Sequence, residues 1–305
     1  MARWSGTTTL DEAMIQERQR DMQQEPNFDQ VAKGLRSDDI ETRRQAAKKL
    51  SAFVDHRSVS VLLQAFLSSS NSAIRGDISN ALVQLSKLSV PALISLLSKD
   101  DEDIHVWAVW TLGKIADQES YEPLLQDFLL TRSLRVRKTT LSALASINFL
   151  RSIDVIRGSL NNRNASLRAV AVGLLSQDKN EKTINALILS SHDKDRNVRL
   201  QSVYALETIG DPSTFNNILV LLQDSDSNVR IAAAHALFLL DSAQSVEPLV
   251  RMLNDVEVSV VFNILVLLSE VRDSHLKEAL TALLHNDHAE IRQQAARNLM
   301  LMDDK

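Results

Sequence analysis

Trp107 and Trp110 are two of only three tryptophans in the chain, and a spacing of i and i+3 puts both rings on one face if the segment is a helix. Paired flat rings can stack on a flat ligand, or they can fill a core, since large aromatic side chains usually gain most by burial. Both readings stand at this point. Other chemistry finds little support. His285-Asn286-Asp287-His288 carries two imidazoles, but it falls in a joint between helices and no third ligand stands at helical spacing, so it reads as a turn and not as a metal site. There is no Gly-rich phosphate loop, no His-Glu-x-x-His and no nucleophile elbow. With Cys 0, the chain has neither disulfides nor thiolate ligands nor a thiol nucleophile of its own.

The elements that would hold these residues repeat. Counting outward from Arg230 at a spacing of about 31 residues, typical of helical-pair repeats, meets Arg43, Arg75, His105, Arg137, Arg168 and Arg199 on one side and Val261 and Arg292 on the other. A leucine follows each phased position seven residues later, from Leu50, Leu82 and Leu112 to Leu237, Leu268 and Leu299. Apolar or small residues at -1, +3, +6 and +7 relative to Arg230 (Val229, Ala233, Ala236, Leu237) mark one buried helical face. A second apolar segment separates the phased ones. Pro123 and Pro248 share its phase and predict helix starts, because the first helical turn tolerates a missing N–H. Each repeat is then a pair of antiparallel helices that must stack on its neighbours to bury its face. The fold class predicted is an all-α solenoid of about nine helical pairs, forming one domain over residues 37–305 with no internal boundary. Residues 1–36 form an N-terminal arm, with Leu10–Glu25 a candidate surface helix.

Counted from the apolar residue before each phased position, Trp107 and Trp110 occupy the third and sixth places, away from the leucine row. Elsewhere these places hold Gln45 and Lys48, Asp77 and Asn80, Thr139 and Ser142, Val170 and Gly173, Gln201 and Tyr204, Ala232 and His235. Most of those are not core residues, which favours an aromatic wall on an open face. The phased arginines are read as a structural ladder paired with turn acids, for which Asp117, Asp211, Asp241 and Asp273 are the candidates, and His105 and Val261 break it. Lys+Arg 34 against Asp+Glu 39 gives a net charge of -5, which argues against a general nucleic-acid binder. The N-terminus lacks the apolar core of a signal peptide and no run reaches the roughly 18 apolar residues of a membrane helix, so a cytoplasmic protein with no membrane span is expected. The unusually apolar repeat around Val260, Val261 and Phe262, with Met300 and Met302 beyond it, suggests association at the C-terminal end.

The repeat resembles the HEAT-repeat family, in particular its phycobilisome-lyase-like branch. His105-Val106-Trp107-Ala108-Val109-Trp110-Thr111-Leu112-Gly113 is similar to the Tyr-Tyr-Ala-Ala-Trp-Trp-Leu-Gly stretch of E/F-type phycobilin lyases: Ala108, Trp110, Leu112 and Gly113 match, Trp107 keeps an aromatic, and Val106 and Thr111 depart. In HEAT-type arrays the phased helix lines the concave side, so the tryptophans would face a groove, with Tyr204 and His235 closing its far side. The resemblance implies a phycobilin lyase or bilin chaperone. Such a protein binds an open-chain tetrapyrrole as substrate, without a prosthetic group, and helps attach it by a thioether bond to a cysteine of a phycobiliprotein subunit. Trp107 and Trp110 would stack on pyrrole rings and Asp77, with Asn80 beside it, would hydrogen-bond pyrrole N–H groups. His105 or Tyr204 would move a proton, and Arg132, Arg135 and Lys138 would pair with propionates. A second lyase subunit or a homodimer through the C-terminal repeats would complete the assembly. The alternative is a non-catalytic scaffold that grips another protein, the common use of solenoids.

Overall fold

Every phased segment is a helix, and each is preceded by an antiparallel partner. The computed structural model describes residues 27–303, so the predicted helix over Leu10–Glu25 lies outside the described residues. Among the described residues there are eighteen α-helices, short 3-10 segments and no strand. The chain divides into two compact units that meet at Asn148 and Phe149. The first holds α1 (Phe28–Gly34) and α2 (Ile40–Leu50), α3 (His56–Ser68) and α4 (Ser72–Gln84), α5 (Val90–Ser95) and α6 (Glu102–Ile115), α7 (Tyr121–Leu130) and α8 (Leu134–Ile147). The second holds α9 (Phe149–Ser159) and α10 (Ala165–Leu175), α11 (Glu181–Ser190) and α12 (Arg196–Ile209), α13 (Phe215–Leu219) and α14 (Ser227–Leu240), α15 (Ser242–Arg251) and α16 (Val258–Leu267), α17 (Ser274–Leu283) and α18 (Ala289–Asp303).

The Asp, Asn and Ser residues of the joints do the capping predicted of them. Asp39, Asn71, Asp101, Ser133, Asn164, Asp195 and Asp226 each accept a backbone N–H from the first turn of a phased helix. The leucine row forms the core: Leu50, Leu112, Leu144, Leu175, Leu206, Leu237 and Leu268 are fully buried. Its last member, Leu299, is half-buried. Phe262, Val266 and Met300 stand exposed in the last two repeats.

Three expectations need correction. The first repeat already has its partner helix, α1, inside the stretch read as an arm; α1 buries Val31, and Leu35 is buried just after it. Pro248 lies inside α15 rather than at its start, because the Asp241 side chain caps Gln244 N–H and begins that helix at Ser242. The turn acids proposed for the ladder are caps instead: Asp117, Asp211, Asp241 and Asp273 accept backbone N–H groups of the helices they precede.

The ladder of the second unit uses other acids. Arg168 grips Asp193, Arg199 grips Asp224 and Arg230 grips Asp255, each through two guanidinium nitrogens at 2.6–2.7 Å. Arg199 Nη1 also donates to the Asp193 carbonyl and Arg230 Nη1 to the Asp224 carbonyl, so each aspartate ties two successive phased helices together. Burial pushes the Asp224 carboxyl up, but the Arg199 hydrogen bonds, the Asp226 N–H and the guanidinium charge outweigh it and hold the group below the usual carboxylate value. The series stops at Val261, which is buried. In the first unit Arg75 lies over Phe66 and Arg137 over Phe128, with centroid distances of 5.7 and 4.9 Å, so cation–π contact takes the place of the acid.

Candidate functional site

Helix α6 carries its unusual residues on two sides. Asp103, Trp107, Trp110 and Lys114 run along one stripe, at steps of four, three and four. His105, 200° around the helix from Trp107 at about 100° per residue, points elsewhere.

On the tryptophan stripe the rings meet edge to face, with centroids 5.5 Å apart and planes at 80°. Both are half-buried, so neither fills the core. Trp107 leans across onto α4, where a Cβ at Gly76 would lie 3.5 Å from the ring. The next residue, Asp77, accepts from Arg44 of α2 at 2.9 Å. Arg44, Lys48, Asp77 and Asn80 line an open hollow of about 540 Å³ on this side of the ridge. On the other side, α6 and α8 approach so closely at Gly113 that a Cβ there would lie 2.7 Å from Ala143 Cβ. That approach leaves a smaller hollow of about 180 Å³, walled by Trp110 and Lys114, with Thr139 and Ser142 on its floor. Arg135 of α8 is bound to Asp103, whose carboxyl its hydrogen bond and charge hold below the usual value. The third-and-sixth-place face is therefore an exposed surface of this unit in which two tryptophans form a ridge between two hollows that carry polar and charged side chains.

The predicted residues do not form one cluster. His105 is buried on the opposite side of α6, its Nε2 2.9 Å from Asp127 Oδ1, though not aligned for a ring N–H hydrogen bond. Thr140 of α8 donates to the other oxygen of Asp127. His105 therefore breaks the arginine series while keeping an acid, Asp127, beside it. It borders a hollow of about 750 Å³ at the turn edge together with Arg132, so Arg132 also lies away from the tryptophans. Lys138 is half-buried on α8. Tyr204, on α12, is 46% exposed and His235, on α14, is exposed; both occupy the corresponding face of the second unit. Lys114, four residues beyond Trp110, is the member of the site that the sequence reading passed over; the i+4 step from a tryptophan was the signal available.

Fold and face together define a helical-pair repeat protein with an aromatic ridge on its open side. The chain belongs to the HEAT-repeat family: the HEAT repeats profile matches residues 90–176 and 184–267, more than half of its length. Among curated proteins, it is 27% identical over 154 residues to an uncharacterized phycocyanin operon protein Z of Pseudanabaena tenuis, covering 47% of this chain and 75% of that one. Among solved structures, an engineered protein is similar with a TM-score of 0.42 at 19% identity, covering 90% of this chain and 88% of that one. The complex of CpcE and CpcF of phycocyanin lyase from a Nostoc species gives 0.40 at 18% identity, covering 73% and 92%. Human deoxyhypusine hydroxylase gives 0.39 at 16%, covering 93% and 99%. No helix among the described residues is long and apolar enough to cross a membrane.

Proposed function

We propose that this chain is a phycobilin lyase or bilin chaperone, which holds an open-chain tetrapyrrole against the Trp107–Trp110 ridge and hands it to a phycobiliprotein subunit. The observation that carries the reading is the ridge itself: two half-exposed rings, edge to face at 5.5 Å, on a face that most other repeats fill with small or polar residues. Exposed aromatic rings cost solvation, and stacking on a conjugated ligand recovers it. The likeness to a protein named for the phycocyanin operon supports the same reading. With no cysteine in the chain, the thiol of the thioether comes from the acceptor, and the pigment is not trapped on its carrier. Asp77 and Asn80, on the helix α4 that Trp107 touches at Gly76, would accept from or donate to the pyrrole edge. His105 faces away from the ridge, so its part is to fix α6 against α7 and α8 rather than to move a proton.

A second reading, a scaffold that grips another protein, draws on the exposed Phe262, Val266 and Met300 of the second unit. On the first reading that surface would receive a second lyase subunit or a second copy. The two readings separate in a transfer assay with phycocyanobilin and an apo-phycobiliprotein subunit. The wild-type chain should raise the rate or fidelity of attachment, and Trp107→Ala with Trp110→Ala should abolish that effect while the helical circular dichroism stays unchanged. Attachment that proceeds equally with and without the chain would leave the scaffold as the better account.

A further inference from the structure

The hollow between α6 and α8 has a composition that points to a particular part of a ligand. Lys114 Nζ stands 5.6 Å from the Trp110 ring centroid, at the end of the ridge. Two other cations on the face are taken, Arg44 by Asp77 and Glu41 and Arg135 by Asp103, and a third, Lys48, lines the separate hollow between α2 and α4. Lys114 is exposed and no carboxylate pairs with it among the described residues. The floor of the hollow is mostly apolar, through Gly113 and Ala143, and carries the hydroxyls of Thr139 and Ser142. Thr139 donates to the Arg135 carbonyl at 3.0 Å and Ser142 to the Lys138 carbonyl at 3.2 Å, so each has spent its hydrogen within α8 and presents lone pairs outward. One wall is thus a ring face, one corner a free ammonium, and the floor carries a pair of acceptors. At about 180 Å³ the hollow is smaller than the roughly 300 Å³ at which pockets for whole drug-sized ligands begin. It has room for one end of a ligand.

Resting on the pigment reading above, we infer that this hollow is a subsite for a single carboxylate-bearing ring of the ligand. The ring would lie along Trp110, its carboxylate would pair with Lys114 and its N–H would be accepted by Thr139 or Ser142. Lys114, rather than Arg132, Arg135 or Lys138, is then the cation that sets which end of the pigment lies at this end of the ridge. Gly113 helps to make the site, because any side chain there would force α6 from Ala143 and change the floor.

The test compares phycocyanobilin with its dimethyl ester, which keeps the conjugated chain and removes both negative charges. Both are titrated into the full chain, as wild type, Lys114→Met and Lys114→Arg, with circular dichroism as the control for folding. The wild type should bind the free acid about three- to five-fold more tightly than the ester, the range of an exposed ion pair, and the preference should shrink as salt is raised. Lys114→Met, which keeps the stem over Trp110, should bind both forms alike at the ester's affinity, and Lys114→Arg should restore the preference. Equal binding of acid and ester by the wild type, or a preference that survives in Lys114→Met, overturns the subsite and leaves pigment binding in place. Binding of neither form overturns pigment binding, and the subsite with it.

Discussion

Asp224→Ala should be among the most damaging single changes outside the leucine row. The Asp224 carboxylate accepts Arg199 Nε and Nη2 at 2.7 Å each and the Asp226 N–H at 2.8 Å, and both side chains of the pair are nearly inaccessible. Truncation removes the two charge-assisted hydrogen bonds to Arg199, worth about 1.5–3 kcal/mol apiece, together with the one from the Asp226 N–H, and leaves a guanidinium in a half-desolvated joint. Removing one partner of a buried pair costs about 3–5 kcal/mol. Arg199 keeps its bonds to the Asp193 and Lys194 carbonyls, which places the loss near the lower end, about 3 kcal/mol. For a unit of this size that corresponds to a fall in Tm of about 6–12 °C. The assay is urea and thermal unfolding followed at the helical circular dichroism band, run as a double-mutant cycle with Arg199→Met. Because the two residues touch, their coupling should exceed about 1 kcal/mol. A loss below about 1 kcal/mol for Asp224→Ala, or a coupling indistinguishable from zero, would show that the ladder is a by-product of stacking and not one of its causes.

The pH dependence follows from the same aspartates. Asp193, Asp224 and Asp255 have carboxyls held below the unfolded value of 3.8, so their contribution is present above that pH and is lost as the pH falls through the still lower folded values. Denaturation midpoints should therefore decline below about pH 4, and the decline should flatten in a triple Asp→Asn variant. Gly113→Ala should destabilise by about 1–3 kcal/mol even though alanine is the better helix former, because the added Cβ meets Ala143; a rise in urea midpoint would contradict the close approach of α6 and α8. His105→Ala leaves Asp127 facing a void beside the Thr140 hydroxyl and should cost about 2 kcal/mol, whereas the tryptophan fluorescence spectrum should change little, since His105 lies across α6 from the ridge.

Much of this was legible because a repeat multiplies a weak signal. One leucine at +7 says little, but nine in phase fix nine helices and their buried side, and the structure places the phased helices accordingly. The outward orientation of Trp107 and Trp110 follows from the same phase. The ladder acids were harder to read because two sets of aspartates recur. Asp211 and Asp241 follow a phased helix and cap the next one, while Asp193, Asp224 and Asp255 stand six residues before the next phased position and receive the preceding arginine. Composition does not separate these sets; the reach of a guanidinium across a repeat does. His105 departs from the ladder in residue type, and it keeps an acid within reach on the adjoining helix, Asp127 at 2.9 Å, without the two-nitrogen grip of the arginines. Helix α1 was missed because it is short and buries only Val31 along its length. Lys114 carried no repeat signal, and only the geometry of Trp110 and the Gly113–Ala143 contact gives it meaning.

Titration of the chain with phycocyanobilin bears most directly on the central claim, carried out on a Trp4→Phe background so that Trp107 and Trp110 supply all the tryptophan fluorescence. A pigment seated on the ridge should give saturable quenching of that fluorescence at the same midpoint as a red-shifted and sharpened pigment absorbance, and both signals should vanish in Trp107→Ala with Trp110→Ala. An unchanged pigment spectrum, or a shift that survives loss of both rings, would contradict the assignment of the ridge as the pigment site.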